Sequence, residues 1–285
     1  MRSMRRWSTP RAKRERAQVT QRLLLIGCGN MAGAMLAGWL RAGEDAGRFV
    51  VLDPALPSAP DGVALHRTPE EAEGAGHDAV LLGFKPQQLQ VLAPSLQRLV
   101  GPGVAVHSLL GGIPLARIAA AFSAARAHVR VMPNLAARIC KSPVILAEQG
   151  LREGERAQLR AFYDALGLAV WQEDEAQFDL VTALSGSGPA FVYRFIDALA
   201  GAASDLGLDP GEATRLATVM VEGAANLAAA SELAPGDLAD RVASPGGMTR
   251  EGMDVLDEDD ALRRLLARTL RATADKGAQL AREIG

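Results

Sequence analysis

The residues with the clearest chemistry stand early in the chain, where Gly27-Cys28-Gly29-Asn30-Met31-Ala32 interrupts the apolar run Leu23-Leu24-Leu25-Ile26 and leads into a helix-like stretch from Gly33 to Leu40. A turn of this composition between a buried strand and a helix suits a pyrophosphate. The first glycine turns the chain off the strand, and the second lets backbone amides approach the phosphates. The small third residue, Ala32, lets helix and strand pack closely, while the helix N-terminus faces the negative charge. The expected ligand is NAD or NADP. Asp53 closes the second apolar run, 24 residues after Gly29. It carries two readings: a carboxylate that accepts hydrogen bonds from the adenosine ribose and favours NAD, or an Asp-Pro turn after a strand.

Four further segments place chemistry at strand ends or helix starts. Lys85-Pro86 follows the run Ala79–Leu82, where a lysine can touch cofactor phosphate or ribose; Met132-Pro133-Asn134 ends a later run, and Asn134 offers an amide to a nicotinamide or substrate. Either pair also serves as a plain turn. Ser185-Gly186-Ser187-Gly188-Pro189-Ala190 and Ser244-Pro245-Gly246-Gly247-Met248-Thr249 are serine- and glycine-rich helix openings that present free amides to an anion such as a carboxylate. Capping and close helix packing are the structural alternatives. The spacing of a hydrolase nucleophile is absent, since Ser185 stands where a glycine is required.

The elements that must hold these residues can be read from the periodicity. Between Arg22 and Trp171 apolar runs alternate with helical patterns: Leu23–Ile26, Phe49–Leu52, Ala79–Leu82, Val104–Ser108, Val129–Met132, Val144–Leu146 and Ala169–Trp171. Such alternation builds a parallel sheet covered by helices. Beyond Trp171 the strand signal ends. Asp209-Pro210-Gly211-Glu212 opens a helix with a cap residue, a proline at the first position and an acid three residues after the cap. Another helix spans about Asp260 to Ile284, with Leu262, Leu265, Leu266, Thr269, Leu270 and Thr273 on one face. The expected class is α/β: a Rossmann-type parallel-sheet domain at 21–172, then an all-helical domain at 173–285 that serves substrate binding and dimerisation. Wide apolar faces rich in Ala and Gly argue for a homodimer.

Composition narrows the function classes. The chain has 31 basic and 33 acidic residues, but seven of the basic ones and a single acid fall in residues 1–20, so the rest carries 24 and 32, a net charge of −8. An acidic body argues against a nucleic-acid surface. The Arg-rich start reads as a disordered basic extension without the apolar segment of a secretion signal. Two cysteines, Cys28 and Cys140, make no disulfide framework and point to a reduced, cytoplasmic setting. No uncharged apolar run reaches the roughly 18 residues of a membrane span. The four scattered histidines, His66, His77, His107 and His128, show no metal-site spacing.

Taken in order, Gly-Cys-Gly-Asn-Met-Ala, Lys85-Pro86-Gln87, Arg130-Val131-Met132-Pro133-Asn134, Ser-Gly-Ser-Gly-Pro-Ala and Ser-Pro-Gly-Gly-Met-Thr resemble the pyrroline-5-carboxylate reductase family over nearly the whole chain from Arg22. The resemblance implies reduction of 1-pyrroline-5-carboxylate to proline, the last step of proline synthesis, with NADPH or NADH. By matching position it implies a cofactor site at Gly27, Cys28, Gly29, Asn30, Met31, Ala32, Asp53, Gly83, Phe84, Lys85, Pro86, Leu110, Gly111 and Asn134. The substrate site falls at Ser244, Gly246, Gly247, Met248 and Thr249, often completed against the partner of a helix-exchanged dimer. Amides around Ser244, Gly247 and Met248 would hold the substrate carboxylate, and the catalytic Thr249 hydroxyl would face the ring nitrogen. A cyclic imine is readily protonated and already electrophilic, so hydride transfer needs orientation more than a strong general acid. The lack of a His or paired-carboxylate site fits.

This chain departs from the family pattern at Asn134-Leu135-Ala136 in place of Asn-Thr-Pro, at Leu110-Gly111-Gly112 in place of Ala-Ala-Gly, and at Met248 in place of Thr or Ala. Asp53 is a fourth departure, since the family tends to have neutral or basic groups there. Leu135 and Met248 motivate an alternative, an imine or ketimine reductase for another cyclic amino acid. A non-catalytic nucleotide-sensing protein is a further one, and the intact Ser244–Thr249 segment argues against it.

Overall fold

The computed structural model describes residues 22–284. The basic extension expected at 1–20 lies outside them. Eight short strands form one sheet: β1 (Leu23–Ile26), β2 (Phe49–Leu52), β3 (Ala64–His66), β4 (Ala79–Leu82), β5 (Ala105–Ser108), β6 (Ala127–Met132), β7 (Ser142–Gln149) and β8 (Gly167–Trp171). Their order is β3-β2-β1-β4-β5-β6-β7-β8. Every expected apolar run is a strand. Two features differ from the sequence reading: β3 joins the sheet beside β2, and β7 pairs antiparallel with β6, so β7 and β8 run opposite to the other six strands.

The first half alternates these strands with α1 (Asn30–Arg41), α2 (Pro69–Ala72), α3 (Leu89–Leu96), α4 (Leu115–Ala121) and α5 (Glu155–Asp164). Both faces of the sheet are covered, which is why β1, β2 and β4 are apolar at every position. Leu23, Leu25, Phe49, Val51, Ala79 and Leu81 point to the face packed by α1 and α5. Leu24, Ile26, Val50, Leu52, Val80 and Leu82 point to the face packed by α2, α3 and α4. Trp39 of α1 locks the first face, stacked on Phe49 at 5.4 Å and Phe162 at 4.7 Å between ring centroids. β1 lies between β2 and β4, so chain connections leave it in opposite directions. That reversal opens a crevice at the C-terminal ends of the strands.

After Trp171 the chain is helical: α6 (Phe178–Ser185), α7 (Gly188–Asp205), α8 (Pro210–Ala230), α9 (Pro235–Val242), α10 (Met248–Asp257) and α11 (Ala261–Ile284). α8 starts as its sequence dictates, with Pro210 in the first turn and the Asp209 carboxylate accepting the Glu212 N–H at 2.9 Å. Small residues let α7 and α8 approach through Ala200, Ala213 and Ala217. The helical half is tied to the sheet by Arg130 of β6, which donates to Glu175 at 2.8 Å and lies 3.9 Å over the Phe178 ring at the start of α6. Glu175 also accepts the Leu115 N–H at the start of α4. Among the described residues no helix is long and apolar enough to cross a membrane.

Candidate active site

Gly27 adopts φ +85°, a left-handed conformation that favours glycine. A Cβ there would meet Gly83 and Phe84 backbone at 3.0 Å, and one on Gly83 would come within 2.3 Å of the Gly27 carbonyl. The β1–α1 and β4–α3 turns are therefore packed backbone against backbone. Their N–H groups continue the ladders at the C-terminal ends of the strands, that of Gly27 on the Leu52 carbonyl and that of Gly83 on the Ile26 carbonyl.

Around Gly29 the structure has the shape and the donors an anion needs. A Cβ on Gly29 would meet nothing within 4 Å. The residue caps α1 with no side-chain hydrogen bond, and the first turn of α1 holds no acid. Its first helical hydrogen bond is from the Gly33 N–H to the Gly29 carbonyl, so the N–H groups of Asn30, Met31 and Ala32 have no acceptor within the helix. This open, uncapped helix start fits a dinucleotide pyrophosphate.

A cleft of about 470 Å³ runs over the turn, lined among others by Gly27, Gly29, Asp53, Arg67, Gly83, Phe84 and Lys85. Asp53 bridges the crevice: its Oδ2 accepts the Cys28 N–H at 2.8 Å, and its Oδ1 accepts those of Ala55 and Leu56 at 2.8 and 3.1 Å. The Asp-Pro turn reading thus holds geometrically, and the residue still faces the cleft. Cys28 is buried behind the turn. Burial, and secondarily the charge of Asp53, push its thiol pKa up to about 11.

A second cleft, of about 570 Å³, continues past Pro86 and Gly111 to Thr182 and Ser187 at the α6–α7 junction and to Lys276 on α11. The Thr182 Oγ1 is buried with no hydrogen-bond partner among the described residues. Gly111 stands at this wall, whereas the side chain of its neighbour Leu110 is buried in the core. Asn134 lies elsewhere. It lines a smaller cleft with Ser185 and Gly188, and its side chain holds structure: Oδ1 accepts the Ala136 N–H at 2.9 Å, and Nδ2 donates to the Ser185 carbonyl at 2.8 Å.

Ser244, Gly246, Gly247, Met248 and Thr249 form the turn into α10 and line none of these three clefts. Gly246, at φ +69°, makes the turn possible. The Gly247 N–H is used within it, on the Ser244 carbonyl at 3.0 Å, so the amides left facing outward are those of the first helical turn, Met248 and Thr249. The Met248 side chain is 93% exposed.

Of the residues singled out in the sequence, Gly27, Gly29, Asp53, Gly83, Phe84 and Lys85 come together along one cleft; Arg67 in that cleft and Thr182 in the second were not singled out. Arg67 follows the three-residue β3, which left no apolar run to mark it. Thr182 precedes the Ser-Gly-Ser-Gly motif and has no distinguishing spacing.

Residues 175–280 match the family model described as pyrroline-5-carboxylate reductase dimerisation. A pyrroline-5-carboxylate reductase of Pseudomonas aeruginosa is 32% identical over 271 residues, covering 93% of this chain and 99% of that protein. The chain belongs to the pyrroline-5-carboxylate reductase family. The reductase from Coxiella burnetii has the same fold, with a TM-score of 0.83 and 29% identity over 93% of this chain and 99% of that one. The pyrroline carboxylate reductase of Plasmodium falciparum, solved with NADP bound, superimposes with a TM-score of 0.79 over 91% of this chain and 98% of that one at 21% identity, a likeness of fold. Membership in this reductase family accounts for a glycine turn joined to a helical half whose Val192, Tyr193, Phe195, Leu216, Val219 and Met220 stand exposed on α7 and α8.

Proposed function

We propose that this protein reduces 1-pyrroline-5-carboxylate to L-proline, as a homodimer, with NADPH or NADH as hydride donor. The observation that carries the reading is the family relationship over 93% of the chain, which takes in both the Gly27–Ala32 turn and the Ser244–Thr249 turn. A bound dinucleotide supplies the hydride. The residues supply position. The amides of Asn30, Met31 and Ala32 hold the pyrophosphate, Asp53 and Lys85 border the adenosine and phosphate portions, and Pro86 with Gly111 leads toward the second cleft, where the nicotinamide end fits. Asn134 acts there indirectly, by holding the α6–α7 junction in place.

The α10 turn presents the amides of Met248 and Thr249 to the substrate carboxylate, with Ser244, Gly246 and Gly247 shaping it. The Thr249 hydroxyl faces the ring nitrogen and orients the protonated imine. That turn lines none of the three clefts described for its own chain, which supports the reading that the partner subunit completes each site. The division at residues 172/173 into a cofactor half and a substrate and dimerisation half is part of this proposal. So is a cytoplasmic location, which the unpaired Cys28 and Cys140 thiols support.

The test is to mix the purified protein with NADPH or NADH and pyrroline-5-carboxylate and follow nicotinamide absorbance. Oxidation with this substrate is expected. Turnover of the six-membered homologue without turnover of pyrroline-5-carboxylate would overturn the reading in favour of another cyclic imino acid.

A further inference from the structure

Two opposed charges meet at the adenosine end of the cleft. In the parallel register of β2 and β3, Leu52 stands opposite His66, and the Asp53 N–H continues the ladder onto the His66 carbonyl at 3.0 Å. Asp53 and Arg67 are therefore neighbours at the ends of adjacent strands, and both line the cleft.

The carboxylate of Asp53 is taken up by backbone amides at the cleft wall. Three backbone N–H groups, those of Cys28, Ala55 and Leu56, solvate it, which compensates its charge locally and leaves it little reach toward a phosphate. Arg67 has the opposite disposition. Its guanidinium binds only neutral acceptors, with Nη1 on the carbonyls of Asp53 (2.9 Å) and Leu56 and Nη2 on that of Pro57 (3.2 Å). Among the described residues its side chain makes no ion pair. Three of its five donors fix the group in place and two remain, on an exposed side chain that pairs with no carboxylate among the described residues; the neighbouring Glu71 carboxylate is taken by the Arg67 backbone N–H, at 2.7 Å.

Position decides what this cation meets. The strand order β3-β2-β1-β4 puts Arg67 and Lys85 on opposite sides of the Gly27 turn. In a doubly wound sheet the adenosine ribose lies at the end of β2, and an arginine nearby accommodates a 2′-phosphate.

We propose that Arg67 binds the adenosine 2′-phosphate and sets a preference for NADPH, while Asp53 acts as the lock of the β2 turn and not as a barrier to that phosphate. This rests on the reading of the cleft as the dinucleotide site. It settles the conflict that an acid at position 53 creates in the sequence, because the acid is occupied by amides and the cation beside it is not paired.

The experiment is calorimetric binding of ADP-ribose and 2′-phospho-ADP-ribose to the full chain, which needs no turnover. The wild-type protein is expected to bind the phosphorylated ligand at least about tenfold tighter, the range of a charge-assisted hydrogen bond. Arg67→Ala is expected to abolish that difference and leave ADP-ribose affinity within about twofold. Arg67→Lys, which keeps the charge without the three-carbonyl clamp, is expected to retain part of the preference. Equal wild-type affinities would overturn the assignment, and so would equal weakening of both ligands in both variants, which is the signature of a loop clamp alone. If neither ligand bound the wild-type protein, the cleft reading itself would fall.

Discussion

At the scale of single residues, the Thr249 hydroxyl is assigned an interaction with the ring nitrogen of the protonated imine, and removing it leaves the substrate held by amides but poorly oriented. Thr249→Ala is expected to lower kcat about 10- to 100-fold, as for loss of one hydrogen bond to a charged group, with Thr249→Ser recovering most of it. Steady-state rates with pyrroline-5-carboxylate check this, and an unchanged kcat in Thr249→Ala would remove the residue from the mechanism. A second residue-scale prediction concerns His107, wholly buried on β5 with its Nδ1 hydrogen-bonded to the Tyr163 hydroxyl at 2.9 Å. Burial, and secondarily the charge of Arg126, lower its pKa to about 3. In the unfolded chain the imidazole takes up a proton as pH falls through its ordinary value near 6.5, and in the folded chain it stays neutral. Its contribution is complete above that value and is lost as pH falls toward 3, by about 1.4 kcal/mol per pH unit. His107→Asn keeps a hydrogen-bond partner for Tyr163 and removes the titration, so urea melts between pH 6 and 4 should show a shallower decline than wild type. An identical slope would show that His107 does not titrate in this way. The sequence showed residue types better than allocations. Gly27 and Gly83 are legible because only glycine suits those turns, whereas Asn134 reads as a free amide until the fold brings Ser185, 51 positions away, onto it.

At the scale of elements, α1 does more than begin at the phosphate site. Its Gly38 faces the 135–139 turn so closely that a Cβ would lie 2.1 Å from the Ala137 carbonyl and 2.8 Å from the Leu166 side chain. Alanine is the better helix former by about 1 kcal/mol, yet backbone on one side and a buried leucine on the other leave its methyl no room. Gly38→Ala is therefore expected to be net destabilising, by roughly 1–3 kcal/mol, read as a fall in the urea midpoint. A rise would mean that the turn yields and helix propensity wins. The elements themselves were largely visible in the sequence, because a strand buried on both faces is mostly apolar, as β1, β2 and β4 are throughout. The two exceptions have physical causes. β3 has three residues, partly exposed, and lacks that signature. The reversal of β7 and β8 is silent, since a doubly buried strand has the same composition whichever way it runs.

For the whole molecule, the question is how the α10 turn reaches a cofactor bound over β1. The exposed Leu216, Val219, Met220 and Leu227 of α8, together with Val192 and Phe195 of α7, form more apolar surface than a lone helical domain keeps in water, and residues 175–280 match a dimerisation model. That such faces need a partner follows from the sequence pattern. Which residues of one chain serve the other does not, because no local periodicity encodes it. If the partner completes the site, two defects on different chains must complement one another. Gly29→Glu introduces a carboxylate where a Cβ meets nothing within 4 Å, so it repels the pyrophosphate without a clash, and Thr249→Ala disables the substrate turn. The Gly29→Glu homodimer is expected to be nearly inactive and the Thr249→Ala homodimer to keep at most about a tenth of wild-type activity. After subunit exchange half the dimers are mixed, and each mixed dimer holds one site built from an intact glycine turn and an intact α10 turn, so activity should return to about a quarter of wild type. Mixing without exchange provides the baseline. If both elements of a site came from one chain, every site would retain a defect and the exchanged mixture would stay at that baseline.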